Sequence, residues 1–451
     1  MSKKIVIIGG GSKLWAPGFV TQFIRSDKLG LLEIVLHDID GAALDLLYQV
    51  SLKLNAGGSN VKISQSTVLE DALTGADFVL VSISTGGLKT MKFDLEIPEK
   101  YEIYHTVGDT VGPGGYLRAV RNIPVFRNFA EKMKSVCPAA WMINVSNPLS
   151  VLTRTPDKTF GIKTIGMCPG AHNHAGRLAR VAGFGENAII DYTVTGIDHG
   201  SWFTHLSADG EDVIARLKEL GFYRSDGILP VDEIKTDDPM VAEAAISRAV
   251  FAIWRETGYM PAINDRHFVE NFPNFLCGGR ELPFRLKRTY IAERQKYYDD
   301  RKILLDRFLS DDDDAILNSP GHGNDPILDV IEALSGKSTF TYACNYANIG
   351  QIPGLPERAV VETRCIIDAG GVHPLVSPMP SLIKAMVMPH VLRQEAVIDI
   401  ALDGTFDELV ALIMTDPLCS RLPVGKCREM VKEMLEGTAG YISNPELLNF
   451  S

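Results

Sequence analysis

KKIVIIGGGSKLWAP (residues 3–17) and EIVLHDID (residues 33–40) decide the fold of this chain. An apolar strand runs into glycines, then into a segment able to start a helix. A second apolar strand then ends in acids. That is the βαβ pattern that holds a dinucleotide. Gly9 and Gly11 permit a tight turn and a close backbone approach to a pyrophosphate. From Ser12 onward the helix start presents free N–H groups and a partial positive charge to phosphates. Asp38, at the second strand end, is placed to accept hydrogen bonds from the adenosine ribose. A carboxylate there favours NAD over NADP, because a 2′-phosphate would be repelled.

The pattern continues for about 150 residues. Strands are predicted at Lys4–Ile8, Glu33–Leu36, Val61–Ser64, Phe78–Ser82 and Trp141–Asn144, and helices at Pro17–Arg25 and Ala42–Leu54. Such alternation implies an α/β fold with a parallel, doubly wound sheet. Ligands bind beyond its C-terminal strand ends. GGGS, HDID, ISTGG and NVSNP all fall there, so Ser84 and Asn144 join Gly9, Gly11, Ser12 and Asp38 as cofactor-binding candidates. From about residue 165 the texture changes. Short strands (Lys163–Met167, Ile189–Gly196) carry isolated polar groups, and the tail from Leu382 has apolar residues at helical spacing. The expected division is an NAD-binding domain over 1–165 and a metal- and substrate-binding α/β domain over 166–451. Asp311–Asp314 reads as a solvated acidic loop.

With 451 residues, the chain has room for two or three domains. Its net charge of −11, from 45 basic and 56 acidic residues, argues against a nucleic-acid or basic membrane surface. No signal peptide is expected, and no apolar run reaches the ~18 residues that span a bilayer. Seven scattered cysteines without a CxxC pair fit a reducing cytoplasm. The expected partner is a small-molecule substrate.

Four segments carry chemistry. GMCPGAHNH (166–174) puts Cys168 at a strand end, and GIDHGSW (196–202) puts His199 at another. A thiolate and an imidazole from neighbouring strand ends suit a borderline-soft divalent metal, with positions left open for substrate oxygens. In INVSNPLSVLTR (143–154), Asn147 either offers its amide to a nicotinamide or sugar hydroxyl, or is a turn residue before Pro148. HTVGDTVGPGGYLRAVRNIP (105–124) reads as a mobile glycine-rich lid with Asp109 facing a cleft. Its Arg118 and Arg121 either meet an anion or solvate a helix. NDRHFVENFP (264–273) brings Asp265, Arg266, His267 and Glu270 together, as an acid–base pair or as a capped helix with a surface ion pair.

Together these segments resemble glycoside hydrolase family 4. IGGGS, LHDID, GDTVGPGG with RAVRNIP, NVSNP, GMC, GIDHGSWF and VVETRCIIDAGGVHPL occur in the family's order, from residue 4 to about residue 375. The resemblance implies a Rossmann-type domain related to the lactate and malate dehydrogenases, an α/β second lobe, NAD, Mn²⁺ or a similar metal, and a homodimer or homotetramer. It also implies the chemistry: oxidation at sugar C3, loss of the C2 proton, elimination at C1, water addition and re-reduction. Cys168 and His199 would hold the metal. Asp265 would be the base, with Tyr259 in reserve. Where members carry Asp, Asn or His after the cysteine, this chain has Pro169, so either His172 or His174 takes the acid's role or a good leaving group needs no acid. Asn147, Asp109 and Lys89 are the substrate-binding candidates. The substrate lies among glycosides, 6-phosphoglycosides and glycuronides. The rivals are a net NAD-dependent dehydrogenase of the malate or lactate type, and an inactive NAD-binding sensor.

Overall fold

The computed structural model describes residues 2–58, 60–222, 247–277, 279, 281–311 and 326–451. Six strands come first: β1 (Lys3–Ile8), β2 (Leu32–His37), β3 (Val61–Ser66), β4 (Phe78–Val81), β5 (Trp141–Asn144) and β6 (Thr164–Gly166). They pair in parallel in the order β3-β2-β1-β4-β5-β6. This is the dinucleotide-binding order. Each strand expected from the sequence forms here, within one or two residues at its ends.

The sheet does not stop at residue 165. It continues through β7 (Ile190–Gly196), β8 (Trp202–Ala208), β9 (Glu211–Asp212), β10 (Phe340–Ala347), β11 (Val360–Asp368) and β12 (Gly371–Pro374). After β6 the order is β10-β11-β7-β8-β9, with β12 on β11. All of these pairings are antiparallel, so the sheet is mixed rather than wholly parallel. Both lobes therefore share one sheet of twelve strands.

Alternation along β1 sends side chains to two cores. Ile5 and Ile7 join Phe19, Phe23, Leu44 and Ile331 on one face. Val6 and Ile8 join Leu117, Phe126, Val397, Phe406 and Met430 on the other. The second set shows what the C-terminal tail does. Its helices Ser381–Asp403, Phe406–Met414 and Val424–Gly437 cover the helix Gly112–Val136 and close one face of the NAD-type half.

One expectation needs correction. The glycine-rich segment is no lid: residues 103–108 and 110–117 are all buried. Its backbone is pinned by Glu270, whose Oε1 accepts from the N–H of Val107 (2.7 Å) and of Gly108 (2.9 Å). Of the acidic run, Asp311 closes the helix Ile291–Asp311, and Asp312–Asp314 lie outside the described residues. No helix among the described residues is long and apolar enough to cross a membrane.

Candidate active site

The dinucleotide turn is built from its own backbone. Gly9 and Gly10 donate to the His37 carbonyl, both at 2.9 Å. Gly9 sits at φ +89°, and a Cβ there would lie 2.0 Å from the Ser82 carbonyl oxygen, so only glycine fits. The Gly11 N–H donates to Asp38 Oδ2 at 3.0 Å, and Asp40 N–H donates to Asp38 Oδ1, also at 3.0 Å. Each carboxylate oxygen keeps lone pairs for a further donor. Ser12 Oγ accepts from Trp15 N–H at 3.3 Å and shapes the entry to the helix Ala16–Ile24. Ser84 stands half-buried beyond β4, its carbonyl accepting from Gly87.

Asn144 is placed differently from expectation. It is fully buried, and its amide donates to the Ser146 carbonyl (3.2 Å) and to Thr153 Oγ1 (3.1 Å), while its Oδ1 accepts from Ser146 N–H (2.8 Å). Its side chain pins the turn after β5, and that occupies the amide meant for a cofactor. The pinned turn carries Asn147, whose Nδ2 donates to Asp109 Oδ2 at 3.1 Å. Arg118 Nε donates to the Asn147 carbonyl at 2.9 Å. Asn147 and Asp109 thus share one site.

His199 is the centre of that site. It follows β7 in the GIDHG turn, at φ +59°, a conformation rare for a residue with a side chain. Its Nε2 faces Cys168 Sγ at 3.8 Å and Asp198 Oδ2 at 3.6 Å. Its Nδ1 lies 2.8 Å from Thr110 Oγ1, and that hydroxyl donates to Asp109 Oδ1 at 2.9 Å. A hydroxyl has one proton, so the chain runs one way: Nδ1–H to Thr110, Thr110 to Asp109. The Nε2 lone pair then points at Cys168 and Asp198. The ring of His267 lies 4.0 Å from that of His199.

Cys168, Asp198 and His199 offer three ligand atoms within 4.8 Å of one another. Neither buried oxygen of Asp198 closes a hydrogen bond among the described residues. A buried carboxylate left this way calls for a cation. Carboxylate, thiol and imidazole are together a donor set for a borderline-soft divalent metal. These residues therefore fit a metal.

Burial and charge set the protonation states. Burial pushes the Asp198 carboxyl up, and neighbouring Glu362 adds to the rise. Burial would raise Asp109 too, but His267, His199 and Arg118 outweigh it and hold its carboxyl down at about 2. His199 is lowered to about 3, first by burial and then by His267, so its imidazole is neutral. Burial also lowers His267.

The acid and base candidates lie elsewhere. Asp265 is buried at the start of the helix Arg248–Thr257, where its carboxylate accepts from Ala249 N–H (3.0 Å) and Val250 N–H (2.9 Å). It anchors a helix rather than facing His199. Tyr259 is exposed in the turn after that helix. The exposed ring of His172 contacts Tyr192 and Tyr342, and it lines a neighbouring cavity of about 290 Å³ with Asn173 and Arg364. His174 is buried against Phe203. Lys89 is exposed in the first turn of the helix Gly87–Lys100. The sequence reading passed over Asp198 and Thr110, each adjacent in sequence to a named candidate. It gave His267 no separate role.

The described geometry matches known proteins. The model of the family 4 glycosyl hydrolases matches residues 4–184, and that of their C-terminal domain matches residues 194–419. Among curated relatives, an alpha-galacturonidase of Lachnoclostridium phytofermentans is 31% identical, covering 97% of this chain and 96% of its own. An alpha-galacturonidase of Thermoanaerobacterium saccharolyticum is likewise 31% identical, over 97% and 96%. The crystal structure of a putative glucosidase of Bacillus subtilis superposes with a TM-score of 0.81 at 28% identity, covering 96% of this chain and 100% of that one. A 6-phospho-alpha-glucosidase from gut microorganisms, solved with NAD and Mn²⁺, shares the fold at 18% identity and a TM-score of 0.78, over 98% and 99%. With both family models matched in order along one continuous sheet, this chain belongs to the family 4 glycosyl hydrolases.

Proposed function

We propose that this glycosidase hydrolyses α-linked galacturonides, with NAD and Mn²⁺ as bound cofactors, by oxidation, elimination, water addition and re-reduction at the sugar. The observation that carries the reading is the Cys168–Asp198–His199 set standing beside Asp109 and Asn147. The galacturonide class is supported by the names of the relatives at 31% identity over 97% of the chain. When bound, NAD supplies a hydride acceptor and donor, and a divalent metal supplies a Lewis acid for sugar oxygens.

The chain's own residues take the remaining tasks. The Gly9–Ser12 turn and the helix behind it cradle the pyrophosphate, and Asp38 takes the ribose. Asp109, ionised across the working range, accepts from a sugar hydroxyl while Asn147 orients it. Arg118, anchored on the Asn147 carbonyl, is the cation placed beside them for an anionic sugar group. His267 takes the proton from the sugar: burial keeps it neutral, and its Nδ1 has no hydrogen-bond partner among the described residues. We further propose a homo-oligomeric enzyme.

The test is a panel of 4-nitrophenyl α-galacturonide, α-galactoside and 6-phosphoglycosides in D₂O, with and without NAD and Mn²⁺. Galacturonide cleavage that needs both, with deuterium at C2 of the product, is expected. Turnover of a neutral or phosphorylated glycoside alone would replace the substrate. NADH accumulating without cleavage would make the enzyme a net dehydrogenase.

A further inference from the structure

We propose that Asn345 and Glu362 form the floor of the cation site, with Glu362 acting as a positioning residue that holds Asp198 in place as a ligand. This rests on the metal reading above.

The argument begins in the sheet. One transverse row crosses four strands: Gly166 on β6 pairs Asn345 on β10, which pairs Glu362 on β11, which pairs Gly196 on β7. Residues in one row project to the same face. Two polar side chains therefore stand side by side between two glycines. Both are buried in mid-sheet: Asn345 is 0% exposed and Glu362 2%. Their neighbours along the strands, Cys344 and Val361, belong to apolar cores. A polar pair at this depth is costly unless something answers it.

The glycines show what does. Gly166 and Gly196 have no side chain to fill the row, and each is followed two residues later by a member of the cation set, Cys168 and Asp198. The GIDHG turn folds back tightly on Gly196, where a Cβ would lie 2.5 Å from the Gly200 carbonyl oxygen. Ser201, at the end of the same turn, and Asn345 both approach Glu362, yet neither contact closes into a well-formed hydrogen bond.

Charge points the same way. Elsewhere in this chain buried acids are answered by a cation or by backbone N–H groups: Asp94 is gripped by the Arg121 guanidinium, both 1% exposed, and Asp265 accepts from two amides. Asp198 and Glu362 form no ion pair with a lysine or arginine among the described residues. Cys168, Asp198 and His199 thus form a set of donors with no lysine or arginine among the described residues paired to its carboxylate. A divalent cation completes that set, and Glu362, in the row beneath it, supplies the second layer.

The experiment titrates full-length protein with Mn²⁺ alone. It follows free and bound Mn²⁺ by electron paramagnetic resonance, with NAD affinity as the control. Glu362→Gln is expected to weaken Mn²⁺ binding roughly 10–100-fold, to change the bound Mn²⁺ spectrum and to leave NAD affinity unchanged. Glu362→Asp should recover part of the affinity. If Glu362→Gln binds Mn²⁺ like the wild type while Cys168→Ser loses it, the floor assignment is overturned and the metal site stands. If Cys168→Ser also binds normally, the metal reading itself fails. Should Glu362→Gln not fold, Asn345→Ser is measured instead, and unchanged Mn²⁺ affinity there overturns the proposal.

Discussion

Thr110 joins two groups that would otherwise meet His199 separately. It accepts a hydrogen bond from Nδ1–H and donates its own to Asp109, which fixes the tautomer that aims Nε2 at Cys168 and Asp198. Thr110→Val keeps the shape and removes the link, so Mn²⁺ affinity should fall roughly 10–100-fold. Equilibrium dialysis against Mn²⁺ decides it, and an unchanged isotherm would remove Thr110 from the orienting chain. Asp265 yields a prediction about pH. Burial pushes its carboxyl up to about 7, although it accepts two amide N–H groups. A raised folded-state pKa means that its contribution is complete below the unfolded value of about 3.9 and lost as pH rises through about 7. Asp265→Asn should therefore gain stability relative to the wild type between about pH 5 and about pH 8. Urea unfolding at both ends of that window would show it, and parallel behaviour of the two proteins would contradict it.

At the scale of elements, the helix Gly112–Val136 is tied into the molecule by a buried ion pair. Arg121 Nη1 donates to Asp94 Oδ1 at 2.9 Å, and its other terminal nitrogen meets Oδ2. This bidentate pair links that helix to Gly87–Lys100. Arg121→Met leaves Asp94 buried without a counter-charge, which costs about 3–5 kcal/mol. Adding Asp94→Asn should recover part of that loss. Denaturant midpoints of the two variants test both statements, and a single variant as stable as the wild type would show the pair to be unimportant. The same helix carries Arg118, so its position also sets the geometry at Asn147 and Asp109.

For the whole molecule, the tail is part of the first half. Val397, Ile398, Leu409 and Met430 are all 0% exposed, in the same core as Val6, Leu117 and Phe126. A fragment of residues 1–165 would expose that surface, and it should not unfold cooperatively by circular dichroism. A cooperative melt from the fragment would make the NAD-type half an independent domain. Continuity of the sheet from β6 into β10 gives the same expectation, because removing residues 340–347 leaves β6 an open edge.

Some of this was legible in the residues themselves. Local chemistry marks the dinucleotide turn: glycine is required at Gly9, and an acid at Asp38 follows a short apolar strand. Strand and helix periods alternate clearly through residue 144 because each strand there is followed by its own turn signals. The pairing of Cys168 with His199 was also legible, since both lie at predicted strand ends. The sequence could not reveal β10 and β11 as the centre of the sheet. Covered on both faces and carrying Asn345 and Glu362 inside, they lack a simple alternation. Nor could spacing tell that Asp265 spends both oxygens on a helix start, or that Asn144 spends its amide on a turn. Only the tertiary structure decided which polar side chains are consumed by backbone and which are left facing one another. A side-chain hydrogen bond leaves no periodic trace in the chain, whether it spans 2 residues, as from Asn144 to Ser146, or 16, as from Ala249 to Asp265.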